Sequence, residues 1–453
     1  MNLHSKTSTP TSPFIVVPDA LPNVFRCQYT WTQFGYHYQR DNKIYSVPKT
    51  SCENGVINTK TGICDPSNPD KQKGSPPPSE CASPTGFRGN PINSAVGNKF
   101  QTEADYTDPQ NSELSFGRFY NSIDGLWRHS YSTRIRIATN LITFVQNDGR
   151  ETHFTLESGN ARAIPPELGT LINSNGNWDY TSATEEHLTF NGQGRLTRKI
   201  SPNGLTQNLT YNNNIITITS SSNKTFTIKE GGLGQPIEFS TGSTKFIYSY
   251  NPYFHLSKTT RTISGTSLSE QRIYHYEDPR DSKLLTGITD ERGTRYATWA
   301  YDDQGRAISS EHTGGADKVL ISYNTDGSST VTNALGQKTT YRFQVIQGVK
   351  RIVAIEGEPS PNCPNSNSTF TYDARGLLKT KTDNRGLLTT YEYDARGLEI
   401  SRTEAVGTPQ ARTITTDWHP TLFLPVTVTE PNRITTYEYD AQGRRTGQTI
   451  TER

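Results

Sequence analysis

From about residue 87 onward the chain reads as short runs in which apolar and polar side chains alternate, each run closing on Gly, Asn or Asp. Successive side chains on a strand point to opposite faces, so period two with turn residues between runs predicts half-buried antiparallel strands. The segment ITFVQNDGRETHFTLES (142–158) places two β-prone runs on either side of Asn147, Asp148 and Gly149, a hairpin signal. The pattern predicts that nearly all of 87–453 is antiparallel β.

From about residue 185 the texture becomes periodic. TTYEYDARGLEISR (389–402) recurs as TTYEYDAQGRRTGQT (435–449), with further copies TFTYDARGLLKTKT (369–382) and ATWAYDDQGRAISSE (297–311). From Tyr372 to Tyr393 the spacing is 393 − 372 = 21 residues, and weaker copies around Gly194, Gly204, Gly293 and Gly386 extend the series. Within one unit Tyr391 and Tyr393 share a face, and Glu392 lies on the other. Carried through the turn, the alternation predicts Leu398 and Ile400 on the apolar face, with Glu399 and Ser401 on the polar one. The turn itself has Asp302, Asp373, Asp394 and Asp440 at its first position and Gly305, Gly376, Gly397 and Gly443 at its fourth. An Asp there accepts hydrogen bonds from amides ahead of it, and the Gly supplies the positive φ at which a type I turn passes into a bulged hairpin. One hairpin is marginal alone, so the repeats must pair edge to edge and stack.

Composition narrows the reading. Tyr (23), Phe (17) and many threonines suit a pleated surface. No apolar stretch approaches the roughly 20 residues a membrane helix needs. Among 453 residues, 46 Lys+Arg against 44 Asp+Glu leave a net charge of +2, which offers no general attraction to nucleic acid. The chain divides as follows: 1–25, rich in Ser, Thr and Pro, reads as a disordered leader without a recognisable signal peptide. Residues 26–86 form a small cysteine-containing module ending in the Pro-rich linker KQKGSPPPSECASPTG, 87–184 a β domain, and 185–453 the repeats. Cys27, Cys52, Cys64 and Cys81 cluster in the module, and Cys363 stands alone. Two disulfides imply export. Unpaired thiols in a flexible segment are the alternative, and zinc is disfavoured because no CxxC spacing occurs.

The Y-D-x-x-G-[RL] units resemble those of the Rhs/YD-repeat family, which includes bacterial polymorphic toxins, toxin-complex subunits and teneurins. GNPINSAVGNKFQTEADY (89–106), FGRFYNS (116–122) and GLWRHSY (125–131) resemble the β-rich domain of unknown function that precedes the repeats in bacterial members. The resemblance implies an N-terminal β domain followed by stacked hairpins that spiral into a shell around a C-terminal polypeptide. The D-P-x-G-L closing segment and variable effector of toxin-enclosing members are not found before Arg453. The expectation is therefore an incomplete shell that encloses no cargo, its last hairpin (437–449) pairing with another chain or frayed.

Candidate chemistry adds little to that picture. The nine histidines show no HExxH spacing, and GxSxG, GxxxxGK[ST] and GxGxxG are missing. The Asp of the repeat turns recurs at one structural position, as a turn role predicts. No catalytic residue, cofactor or metal is expected. The reading is a non-enzymatic shell or scaffold segment of a secreted toxin-type protein, cytoplasmic before export. Its partners would be other chains of the assembly or a missing effector. A carbohydrate- or cell-surface-binding adhesin is the alternative, with Trp127, Trp178, Trp299 and Trp418 as candidate glycan contacts.

Overall fold

Alternating strands joined by tight turns fold locally into hairpins, and hairpins account for almost every element seen. The computed structural model describes residues 68–76, 84–110, 114–138, 140–357, 367–440 and 443–453, together with the backbone of strands Thr9–Pro10, Ile15–Pro18, Val24–Gln33 and Tyr36–Tyr45. The chain divides into two units, 1–68 with 347–349, and 69–346 with 350–453. In the first, Val24–Gln33 pairs antiparallel with Tyr36–Tyr45 and also with Ile15–Pro18 and Thr9–Pro10. The side chain of Cys27, and all of Cys52, Cys64, Cys81 and Cys363, lie outside the described residues.

The second unit holds three sheets. Five strands run from Phe87–Arg88 to Trp127–His129, and four from Arg134–Ile137 to Asn160–Ile164. The predicted hairpin forms in the latter, where Leu141–Val145 pairs with Glu151–Glu157 across a turn in which Gly149 has φ +90°. The third sheet has 26 strands in chain order, from Thr170–Ser174 to Arg445–Glu452. Its first and last strands are not hydrogen-bonded to each other, so it is not closed into a barrel.

Period two decides which side chains enter the core. In Arg295–Tyr301, for instance, Ala297, Trp299 and Tyr301 are buried. The three sheets share one apolar cluster: Phe116 stacks on Phe239 at 4.2 Å between ring centroids, and Phe144 on Tyr180 at 4.3 Å. Late turns of the long sheet also meet its beginning, because Leu168 packs against Gly397, and the Glu185 carboxylate accepts a hydrogen bond from the Phe423 amide.

One expectation is reversed. Between Glu392 and Tyr393 the register shifts, so that Tyr393 opposes Glu399 while Tyr391 opposes Arg402. A bulge inserts one residue into one strand and slips the alternation beyond it. Glu399 therefore lies half-buried on the tyrosine side, and Ile400 is 37% exposed. Burial raises the Glu399 carboxyl above its ordinary range, opposed by Arg402, whose Nη1 donates to Glu399 Oε1 at 3.2 Å.

Candidate functional site

The repeat turns come first, since they position everything between them. Asp302 Oδ1 accepts from the amides of Gln304 (3.0 Å) and Arg306 (2.9 Å), and Arg306 Nε donates to Asp302 Oδ2 at 2.8 Å. Asp373 takes the amides of Arg375 and Leu377, Asp394 that of Leu398, and Asp440 that of Arg444. Gly305, Gly376, Gly397 and Gly443 have φ of +73°, +83°, +86° and +78°, and each donates its amide to the carbonyl of the Asp three residues back. Each carboxylate is thus engaged inside its own turn, where two residues ahead and four residues ahead are both within its reach.

The tyrosine preceding the turn has a second task that the sequence reading missed. Tyr301 Oη donates to the carbonyl of Leu285, Tyr323 to Ala307, Tyr372 to Ile352 and Tyr439 to Pro425, at 2.7, 2.7, 2.8 and 2.8 Å. Tyr211 and Tyr250 do the same to Leu196 and Pro236. Ala307, Pro425, Leu196 and Pro236 are each the first residue of the strand just before the tyrosine's own. The hydroxyl therefore caps the carbonyl at which the previous hairpin leaves its turn, and ties successive hairpins together. Burial raises the phenols above their ordinary value, to about 12 for Tyr372 and well above it for Tyr301, so they remain donors.

The densest polar arrangement lies on Asn98–Thr107, where period two puts Lys99, Gln101, Glu103 and Asp105 on one face, turned toward the long sheet. Lys99 Nζ donates to the carbonyls of Asn90 and Phe100, each at 2.5 Å, and to Gln101 Oε1 at 2.8 Å, and it lies 4.2 Å from the centroid of the Trp299 ring. Complete burial holds the Lys99 amine well below its ordinary pKa, with Glu103 opposing. Gln101 Nε2 donates to Glu103 Oε1, which also accepts from Tyr296 Oη, and Arg272 pairs with Glu103 Oε2. Arg118, 1% exposed, donates to both oxygens of Asp105 at 2.6 and 2.8 Å and to Tyr274 Oη at 2.8 Å. Tyr248 Oη completes Asp105 at 2.8 Å, and the guanidinium lies within 5.4 Å of the rings of Trp127, Tyr248 and Tyr274. Burial works against the charged guanidinium, yet Asp105 and Tyr274 drive its pKa well above the ordinary value.

A second buried cluster joins Lys73 to Asp70 and Asp124, both at 3.1 Å, with Arg128 on Asp124 at 2.7 Å. Burial alone would raise the Asp124 carboxyl, but Arg128 and Lys73 hold it well below the carboxylate range. In both clusters the carboxylates are already engaged by cations, and in the first by tyrosine hydroxyls of the long sheet as well. Their arrangement fastens one layer to the next. Among the described residues, no group of three His, Cys, Asp or Glu is placed to hold a metal ion.

The tryptophans correct an expectation. Trp127, Trp178 and Trp299 are 0%, 5% and 2% exposed, and a ring must be accessible on one face to stack on a sugar. Trp127 Nε1 donates to Tyr276 Oη and Trp299 Nε1 to the Asn90 carbonyl, so both serve the interior. Only Trp418 is half-exposed, and its Nε1 donates to the carbonyl of Glu399 at 2.9 Å. The polar row 99–105 was visible as alternation in NKFQTEADY, but a polar face ordinarily reads as solvent-facing; its burial follows from the sheet laid over it.

Residues 89–154 match a domain of unknown function, DUF6531, and residues 372–409 match the RHS Repeat family. No curated protein matches. Among solved structures, the crystal structure of TcdB2-TccC3 aligns with 85% of this chain and 22% of its own, at 13% identity and a TM-score of 0.34. A Tc holotoxin pore from Photorhabdus luminescens aligns with 75% of this chain and 19% of its own, at 12% identity and a TM-score of 0.32. A porin-like protein from Bacteroides uniformis aligns with 71% of this chain and 95% of its own, at 10% identity and a TM-score of 0.13. The chain spans about a fifth of the length of the first two.

Proposed function

Because residues 372–409 match the RHS Repeat family and residues 89–154 match DUF6531 ahead of them, we propose that this chain is a non-enzymatic wall segment of a secreted, toxin-type shell. One observation carries the reading: a single run of 26 strands whose tyrosine hydroxyls are engaged by main-chain carbonyls between successive hairpins. Such a sheet grows by adding like units, and each unit makes its own strands rigid without a ligand. The DUF6531 region acts as a brace, its polar row 99–105 and Arg118 gripping the wall from one side. Partners are then the rest of the assembly, or a polypeptide that the wall shields. The adhesin reading loses most of its platform with three of its four candidate tryptophans buried, and of those four only Trp418 is half-exposed.

Several measurements test the proposal. Cryo-electron microscopy of the purified protein should show a curved wall one sheet thick over the repeats, and expression should leave bacterial growth unchanged. Growth inhibition, or a glycan-array signal abolished by Trp418→Ala, overturns it. For export, thiol counting on denatured, unreduced protein from an oxidising compartment should find one free group, Cys363, with Cys27, Cys52, Cys64 and Cys81 in two disulfides. Five free thiols argue against a secreted protein.

A further inference from the structure

Where the four-stranded sheet meets the first repeats, Arg134 and Arg195 form an isolated antiparallel β-bridge. The Ile135 amide donates to the Gly194 carbonyl at 3.0 Å, and a Cβ on Gly194 would lie 2.0 Å from the Ile135 carbonyl oxygen, so glycine permits the approach. Directly opposed residues in a β-bridge present their side chains on the same face, and like charges there repel. Both arginines line a cavity of about 460 Å³, within the range typical of small-ligand sites.

The neighbouring charges are already committed. Arg128 is held by Asp124, Arg136 by Glu151, and the Glu230 carboxylate on the cavity wall receives His129 Nε2 at 2.9 Å. Among the described residues, neither Arg134 nor Arg195 has a carboxylate at ion-pair distance; the Arg195 guanidinium lies 5.2 Å from the Tyr211 ring centroid. Both side chains are exposed at the cavity's edge; desolvation, then Arg136 and Arg128, lowers the Arg134 pKa, opposed by Glu151 and Glu230. On the same wall the turn Gly231–Gly234 uses the amides of Gly231 and Gly234 and leaves those of Gly232 and Leu233 without a backbone acceptor.

We propose that this cavity is a binding site for a small oxyanion-bearing ligand, a carboxylate or a phosphate, clamped between the Arg134 and Arg195 guanidinium groups. An oxyanion accepts charge-assisted hydrogen bonds from both and turns their repulsion into a joint attraction. Inorganic phosphate and glucuronate serve as probes in separate thermal-unfolding titrations at fixed ionic strength. One or both should raise Tm of the protein in a saturable way, and which one does so identifies the head group. In the Arg134→Gln/Arg195→Gln double variant the saturable rise should vanish, while Tm in chloride alone equals or exceeds that of the parent, since a like-charge pair has been removed. The general salting effect of phosphate acts on both proteins alike. The single variant Arg195→Gln should shift the midpoint of the titration at least about tenfold. An equal rise in parent and double variant, or indifference of the parent to both probes, overturns the proposal.

Discussion

At Gly397 two constraints meet in one residue. Its φ of +86° is one that L side chains rarely adopt, and an added Cβ would lie 2.6 Å from Leu168 Cδ2. Gly305 has φ +73° with nothing within 4 Å of the same position. Gly305→Ala should therefore cost about 1 kcal/mol through the backbone alone, and Gly397→Ala distinctly more, because Leu168 must also move. Denaturation midpoints of the two variants read the difference, and equal losses would show that the Leu168 contact is unimportant. The repeat tyrosines separate in a similar way. Tyr301→Phe leaves the Leu285 carbonyl in the interior without its donor and should cost about 1–2 kcal/mol, whereas Tyr437→Phe, at a half-exposed position, should stay within about 0.5 kcal/mol. Turn chemistry was legible at this scale because Asp and Gly act within five residues of each other. The acceptor of each tyrosine was not, because it lies 14 to 20 residues away, outside the tyrosine's own strand.

Between elements, the strand Asn98–Thr107 and its neighbour Ser115–Asn121 fasten the brace to the long sheet through Arg118 and Asp105. Removing one member leaves the other charge buried and unpaired, so Arg118→Met or Asp105→Leu alone should cost roughly 3–5 kcal/mol. The double variant should recover much of that loss, since apolar side chains of similar size suit a site already walled by Trp127, Tyr248 and Tyr274. A double-mutant cycle in urea measures this. Strictly additive losses would mean that the pair does not act as a unit. The sequence announced Asn98–Thr107 as a strand from its alternation, yet gave no sign that its charged face was the inner one. Arg118 and Tyr274 are 156 residues apart, and that separation hides their contact from any local pattern.

At the scale of the whole molecule, buried phenols make the fold sensitive to alkali. Burial raises Tyr120, Tyr248, Tyr274 and Tyr301 well above the ordinary tyrosine value and Tyr372 to about 12. In the unfolded chain these groups ionise near pH 10. Above that pH the unfolded state binds fewer protons than the folded one, so stability is full below about pH 10 and falls as pH rises, by about 1.4 kcal/mol per unit for each such tyrosine. An ultraviolet titration should show these phenols ionising together with loss of the β circular-dichroism signal. Stepwise ionisation of all tyrosines near pH 10 in the folded protein would contradict their burial.

The sequence by itself determined the strand texture, the turns of the recognisable repeats and the repeat itself, because alternation, Asx acceptors and positive-φ glycines are properties of a few consecutive residues. It also determined that the repeats belong together, since one hairpin cannot bury its own tyrosines. Tertiary structure alone decided which faces are inner. A one-residue bulge put Glu399 beside the tyrosines and Ile400 outside, and the layer over Asn98–Thr107 turned a polar face inward. The same packing took Trp127, Trp178 and Trp299 into the core and set Arg134 opposite Arg195. Each of these outcomes depends on what a distant strand brings to the same place, and the free energy of burying a side chain is fixed by that partner rather than by its neighbours in the chain.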